Sequence, residues 1–269
     1  MKTRAITAFF FTLVMLASIF LGAYTFTIFY LVLSLLSLIE FYKLIKTSGL
    51  KPQVGIGLLT SGVIFLILAS HFFLKFETRY LLLSIPLVFS VFISELYKKE
   101  ASPFGDISYT IIGLVYVTVP FCFFYALGFA FSDDGYNFHL PLAFLLMLWA
   151  SDTGAFLFGR KLGKTKLFER HSPKKSWEGF FGGVFTSVLV AVIISLFFKE
   201  ISMVVWIGMA VLVVTFGTLG DLVESMLKRS LNVKDSGNLL PGHGGLLDRF
   251  DGLLVAAPLV FTYLYLVLN

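Results

Sequence analysis

The chain has 269 residues, of which 58% are hydrophobic and only 14% charged, with 32 phenylalanines and a net charge of +5. Ordinary globular domains are about a quarter charged, so the composition reads as a polytopic membrane protein, one integral domain over 1–269 with no room for a separate soluble one. A single cysteine, Cys122, excludes an internal disulfide framework and a cysteine-rich metal site.

A membrane span needs about 20 mostly apolar residues. In chain order such runs fall at 5–22, 26–45, 54–74, 79–97, 107–131, 140–159, 179–198, 201–222 and 246–268. The expected fold is therefore all-α, a bundle of about nine transmembrane helices. Residues 1–139 supply N-terminal helices, and 140–269 supply the catalytic helices and their cytoplasmic loops. The first run follows Lys2 and Arg4 but has no small-x-small cleavage site before a soluble domain, so it reads as a helix rather than a signal peptide. Gly55, Gly57, Gly62, Pro86, Gly113 and Pro120 interrupt the runs, as is ordinary where membrane helices approach closely.

Nine spans place successive loops on alternate sides. The side of the N-terminus then holds 18 of the 21 Lys and Arg, leaving only Lys75, Arg79 and Lys199 opposite, where Asp133 and Asp134 also fall. This asymmetry puts the N-terminus in the cytoplasm and the C-terminus on the far side.

Two cytoplasmic loops hold most of the polar residues. The sixth run ends LLMLWASDTGAFLFGRKLGKTK and carries Asp152 between Trp149 and Phe156. An ionised carboxylate at that depth needs a cation, a metal or a water-filled cavity. In GRKLGKTK only three residues separate Gly159 from Gly163. A phosphate-binding P-loop has four there and follows a strand, so that reading fails. HSPKKSWEG then leads into the seventh run. Pro173 suits a tight turn or helix start that Ser172 can cap. Lys174 and Lys175 stand where either a phosphate or anionic lipid headgroups would meet them.

In the second loop, Asp221, Glu224, Ser225 and Lys228 follow i, i+3, i+4, i+7 and share one helix face. Being polar at the end of an apolar helix, this face looks into a cavity or an interface. SGNLLPGHGGLL is turn-forming, with glycines around His243 that free the backbone to approach a ligand. Asp248 and Asp251 lie three apart at the start of the last run. With Asp221 they offer the hard oxygen ligands that Mg²⁺ bridging to phosphates requires. His243 is open to three readings: phosphate donor, general base or turn residue.

The run SMLKRSLNVKDSGNLLPGHGGLLDRFD, residues 225–251, resembles the signature of the CTP:phosphatidate cytidylyltransferases, or CDP-diacylglycerol synthases. The matching positions are Ser225, Lys228, Arg229, Lys234, Asp235, His243, Gly244, Gly245, Asp248, Arg249 and Asp251. Residues 151–166 and 172–179 look like the same family, whereas the first 140 residues resemble it only as a set of spans.

The resemblance implies that CTP and phosphatidic acid give CDP-diacylglycerol and pyrophosphate. It implies Mg²⁺ on Asp221, Asp248 and Asp251, with a monovalent cation such as K⁺ beside it. Lys174, Lys175, Lys228 and Arg229 would hold the triphosphate or the lipid phosphate; Lys234, His243 and Arg249 would complete the phosphate shell. Ser172, Ser225, Gly244 and Gly245 belong to the same expected substrate site, with Asp152 either behind it or on the metal. No nucleic-acid partner is expected, a homodimer is compatible with a flat helix bundle, and a bacterial-style inner membrane is expected from the short N-terminus without organelle targeting.

Two rival readings make different demands on the sequence. A transporter for anionic solutes predicts broken helices near the midplane, while here the polar groups cluster on one side. A CDP-alcohol phosphotransferase would show a long Asp-Gly…Ala-Arg…Gly…Asp…Asp pattern, which is absent from the sequence.

Overall fold

The computed structural model of the protein describes residues 2–132, 135–237 and 244–268, with all side chains in these ranges except those of 2–6 and 8. The elements in order are α1 (Lys2–Phe20), α2 (Ala23–Lys46), α3 (Val54–Leu74), a 3₁₀ segment (Thr78–Leu83) running into α4 (Ser84–Glu95), α5 (Pro103–Gly113), a π segment (Leu114–Thr118), α6 (Val119–Leu127), α7 (His139–Leu162), a hairpin of β1 (Lys166–Phe168) and β2 (Ser172–Ser176), α8 (Trp177–Phe197), α9 (Met203–Ser230) and α10 (Leu247–Leu268). Among the described residues, eight helical stretches are long and apolar enough to cross a membrane, and α1 adds a shorter apolar stretch, Phe9–Phe20. The protein is thus a helical, multi-pass membrane protein, as its composition predicts.

The helices differ from the expected runs where backbone chemistry intervenes. The fourth run begins as a 3₁₀ turn because Pro86 cannot donate a hydrogen bond back into the preceding turn, so the α-helix starts only at Ser84. The fifth run stays helical through Pro120 by widening into the π segment just before it, an adjustment that re-satisfies freed backbone groups inside membranes. Thr118 in that wide turn donates to Ser61 Oγ at 2.8 Å. The eighth run extends past the expected residue 222 to Ser230. At 1.5 Å per residue its 28 residues reach about 42 Å, beyond the roughly 30 Å hydrocarbon core. Its last turns therefore continue past the apolar segment and carry the polar face.

The chain divides into two compact units. The first joins α1–α6 to a segment that includes Ser236, Gly245 and Asp248. Its core is aromatic: Phe26 stacks on Tyr125 at 5.8 Å, and Phe65 and Phe129 each lie 4.8 Å from Tyr125. Tyr42 of α2 fills a notch cut by Gly57 of α3 and Gly113 of α5, where an added Cβ would fall within 2.7 and 2.5 Å of its ring, and its hydroxyl donates to the Thr110 carbonyl at 2.8 Å. Gly55 and Gly62, by contrast, face open space.

The second unit holds α7–α9, the hairpin and α10 from Arg249. Here α7 and α8 run nearly backbone to backbone. A Cβ on Gly154 would stand 2.7 Å from the Gly182 carbonyl, and one on Gly183 3.0 Å from that of Ser151, while Thr186 donates to the Ala150 carbonyl at 2.9 Å. Small residues at helical spacing permit this, because helices in lipid associate by close packing and not by hiding apolar surface from water. The opposite face of α8 exposes Phe181, Phe185, Leu189 and Ile193, an apolar stripe suited to acyl chains.

Candidate active site

Three helices of the second unit meet at Leu148 of α7, Gly217 of α9 and Gly252 of α10. A Cβ on Gly217 or Gly252 would lie 2.9 or 3.1 Å from Leu148 Cδ1. One turn further along, α7 presents Asp152 and α9 presents Asp221, while Asp251 immediately precedes Gly252. A Cβ on Gly220 would overlap the carbonyl oxygen of Asp251 and stand 3.2 Å from Gly252 Cα. The glycines thus draw α9 and α10 together at the level of the acids.

The surroundings of these acids are strongly charged. The groups bearing on Asp251 electrostatically are Asp221, Glu224 and Asp152, all carboxylates, while Asp152 also feels Lys175 and Arg249. Lys175 Nζ lies 2.5 Å from Asp221 Oδ2 and 3.4 Å from the Thr218 carbonyl. The face expected from i, i+3, i+4, i+7 spacing forms as read: Ser225 Oγ donates to Asp221 Oδ1 at 3.3 Å, and Lys228 Nζ to Glu224 Oε2 at 2.5 Å. Glu224 is 1% exposed, a buried acid to which the sequence reading gave a place but no role. Arg229 is exposed and donates to the Val233 carbonyl at 3.3 Å. Lys234 is exposed, beyond the left-handed Asn232 that ends α9.

Lys175 reaches α9 because residues 166–176 form a hairpin, which the sequence reading did not foresee. Lys166 pairs with Ser176 and Phe168 with Ser172, with a bulge between. The expected helix start at Pro173, capped by Ser172, is corrected: both lie in β2, and the helix begins at Trp177 with Ser176 accepting from Gly179 N at 3.2 Å. Pro173 is compatible with a strand that has only one neighbour. Successive residues of a strand point to opposite faces, so Lys174 and Lys175 diverge, and Lys174 is exposed. The GRKLGKTK segment is no phosphate cradle, since Gly163 N closes the end of α7 on the Gly159 carbonyl at 3.0 Å.

In the first unit, the Asp248 carboxylate ties Ser236 to Gly245. Its Oδ2 accepts from Ser236 N at 3.0 Å, Ser236 Oγ at 2.9 Å and Gly245 N at 2.9 Å. Gly244 adopts φ 83°, and a Cβ there would stand 2.7 Å from that oxygen, so the position excludes a side chain twice over. The close approach that Gly245 makes is to the Glu40 carboxylate. His243, with 238–242, lies outside the described residues, as do Asp133 and Asp134. Glu40 itself was missed. It is 7% exposed and accepts from Ser236 Oγ, Leu246 N and Leu247 N. An acid inside the second apolar run was the signal that pointed to it.

Among the described residues, no three His, Cys, Asp or Glu side chains already converge as a metal cage. The donors around Asp221 and Asp251 are nevertheless all oxygens, their like charges oppose one another, and an ammonium group already sits on one of them. That donor chemistry fits a hard cation such as Mg²⁺.

Apolar spans with acids of α7, α9 and α10 gathered beside a lysine of the hairpin define a multi-pass membrane protein with a charged site. A cytidylyltransferase family model matches residues 2–267. A phosphatidate cytidylyltransferase of Staphylococcus aureus (strain COL) is 37% identical over 263 residues, covering 97% of each chain. Those of Staphylococcus haemolyticus (strain JCSC1435) and Staphylococcus epidermidis (strain ATCC 12228 / FDA PCI 1200) are 35% identical over 263 and 266 residues, again covering 97% of each chain. The chain belongs to the cytidylyltransferase family and is a nucleotidyltransferase. The resemblance carried by 225–251 thus extends over nearly the whole chain, including the first 140 residues.

Proposed function

We infer that this protein transfers the cytidylyl group of CTP to phosphatidic acid, giving CDP-diacylglycerol and pyrophosphate for phospholipid biosynthesis. The observation that carries this reading is the gathering of Asp152, Asp221, Glu224 and Asp251 with Lys175, in a chain 37% identical over 97% of its length to a relative of that name. An oxygen of the lipid phosphate attacks the α-phosphorus of CTP, the bond from that phosphorus to the bridging oxygen of the β-phosphate breaks, and pyrophosphate leaves with the electron pair. The nucleophile is already an anion, so general-base work is slight and positioning dominates.

What the residues must do is bring two polyanions together. Asp221, Asp248 and Asp251 would hold Mg²⁺, which when bound offsets phosphate charge; a K⁺ ion beside it belongs to the same reading. Lys174, Lys175, Lys228 and Arg229 hold the triphosphate or the lipid phosphate. Lys234, His243 and Arg249 complete the phosphate shell, with Ser172, Ser225, Gly244 and Gly245 lining it. The ion pair of Lys175 with Asp221 supports a role in which the ammonium exchanges a carboxylate for a phosphate oxygen. The skewed distribution of Lys and Arg supports a cytoplasmic site in the inner or plasma membrane. A homodimer remains part of the reading, checked by the mass of the detergent-solubilised protein.

The test is pyrophosphate release by purified protein given CTP, phosphatidic acid and Mg²⁺, with Asp248→Ala and Asp251→Ala alongside. Turnover that needs all three components and is lost in the variants supports the reading. A folded sample that makes no CDP-diacylglycerol across lipid and cation conditions ends it.

A further inference from the structure

Glu40 lies in α2, far in sequence from the signature, yet its carboxylate is enclosed by it. Oε1 accepts from Ser236 Oγ at 2.7 Å and from Leu247 N at 2.9 Å, and Oε2 accepts from Leu246 N at 3.0 Å. Leu246 immediately precedes α10 and Leu247 opens it, so Glu40 caps that helix from another element, placing an anion where the helix end favours one. The glycines of the turn are shaped to it. A Cβ on Gly237 would stand 2.7 Å from Oε2, and one on Gly245 would fall on Oε1. The single hydroxyl hydrogen of Ser236 is shared between Glu40 and Asp248, whose Oδ2 is 2.9 Å away. Glu40 and Ser236 are 7% and 6% exposed.

A buried charge so placed has a large desolvation cost, which a loop of ordinary structural purpose would avoid with an apolar side chain. We propose that Glu40 is a positioning residue for the reaction: its carboxylate holds the start of α10 and the Ser236 hydroxyl, and through them fixes where the Asp248 carboxylate points. The proposal rests on the cytidylyl-transfer reading and adds to it a residue from the N-terminal half. Groups that orient metal-binding carboxylates from behind commonly matter 10–100-fold in metal affinity or activity.

Glu40→Gln keeps the size of the side chain but opposes an amide N–H₂ to one of the donors, and Ser236→Ala removes only the shared hydroxyl. Hydrogen exchange of the full-length protein in detergent, without substrate, is expected to quicken at 244–250 in both variants and to stay unchanged in α3 and α5. In turnover assays Glu40→Gln is expected to lower kcat about 10–100-fold and raise the half-saturating Mg²⁺, with the KM for phosphatidic acid unmoved; Glu40→Asp, which keeps the charge, recovers part of the loss. Faster local exchange with kcat and Mg²⁺ dependence within twofold of the parent would overturn the proposal, as would unchanged exchange. Should Glu40→Gln unfold, Ser236→Ala decides by the same two readouts. Failure of the parent protein to turn over sinks the assigned reaction instead, and the exchange comparison still decides whether Glu40 holds the turn.

Discussion

The ammonium of Lys175 lies 2.5 Å from the Asp221 carboxylate, joining the second strand of a hairpin to the polar face of a membrane helix. Removing the ammonium takes from Asp221 its ion-pair partner and from the site a cation. Lys175→Met is expected to lower kcat/KM by about 10²-fold, the scale of losing one donor to a developing phosphoryl charge. Lys174→Met, on the exposed face of the same strand, is expected to cost less than tenfold by the same scale. Steady-state pyrophosphate release compares them, and equal losses would show that the ion pair is not what matters.

Asp221 and Asp251 are held together by the contact of α9 with α10 at Gly220. A Cβ at 220 overlaps the Asp251 carbonyl, so Gly220→Ala is expected to destabilise the protein by about 1–3 kcal/mol, as overpacking does. Activity is expected to fall further than stability alone explains, because the acids move apart. Gly62→Ala, which meets open space, is the control and should leave the thermal midpoint within a degree or two.

Ser176 and Ser172 make opposite predictions. Ser176 caps α8 through Gly179 N, so Ser176→Ala is expected to cost about 1 kcal/mol. Ser172 lies in the hairpin and caps nothing, so Ser172→Ala is expected to cost under about 0.5 kcal/mol. Thermal unfolding in detergent separates the two, and the reverse order would restore the helix start at Pro173.

Oxygen-only donors predict the metal response. Chelation of divalent ions is expected to abolish turnover, Mg²⁺ to restore it, and Asp251→Asn to lose at least about 10²-fold even at saturating Mg²⁺. Turnover that persists in the chelator would exclude a divalent ion from the reaction.

Orientation is open to labelling. Cys122 is buried, 8% exposed, so single cysteines introduced elsewhere report alone. In intact cells an impermeant thiol reagent is expected to label Lys199→Cys and to spare Lys164→Cys; labelling of the second alone would invert the topology.

Much of this protein was legible in its sequence because the membrane makes the code simple. Apolar runs of fixed length must be helices, since no other local structure satisfies the backbone in lipid. The polar face of α9 also followed from spacing, because i, i+3, i+4, i+7 is a property of one helix. What escaped depended on partners distant in sequence. The hairpin at 166–176 is held by cross-strand pairing, which no periodicity in so short and basic a segment announces. The nearness of Asp152, Asp221 and Asp251 depends on where Leu148, Gly217 and Gly252 let three helices meet. Glu40 became meaningful only when its carboxylate was found against Ser236, Leu246 and Leu247. The sequence determined which residues carry charge and on which helices they ride; only tertiary packing decided which charges face one another, because in lipid that is set by backbone approach at small residues rather than by any pattern along one helix.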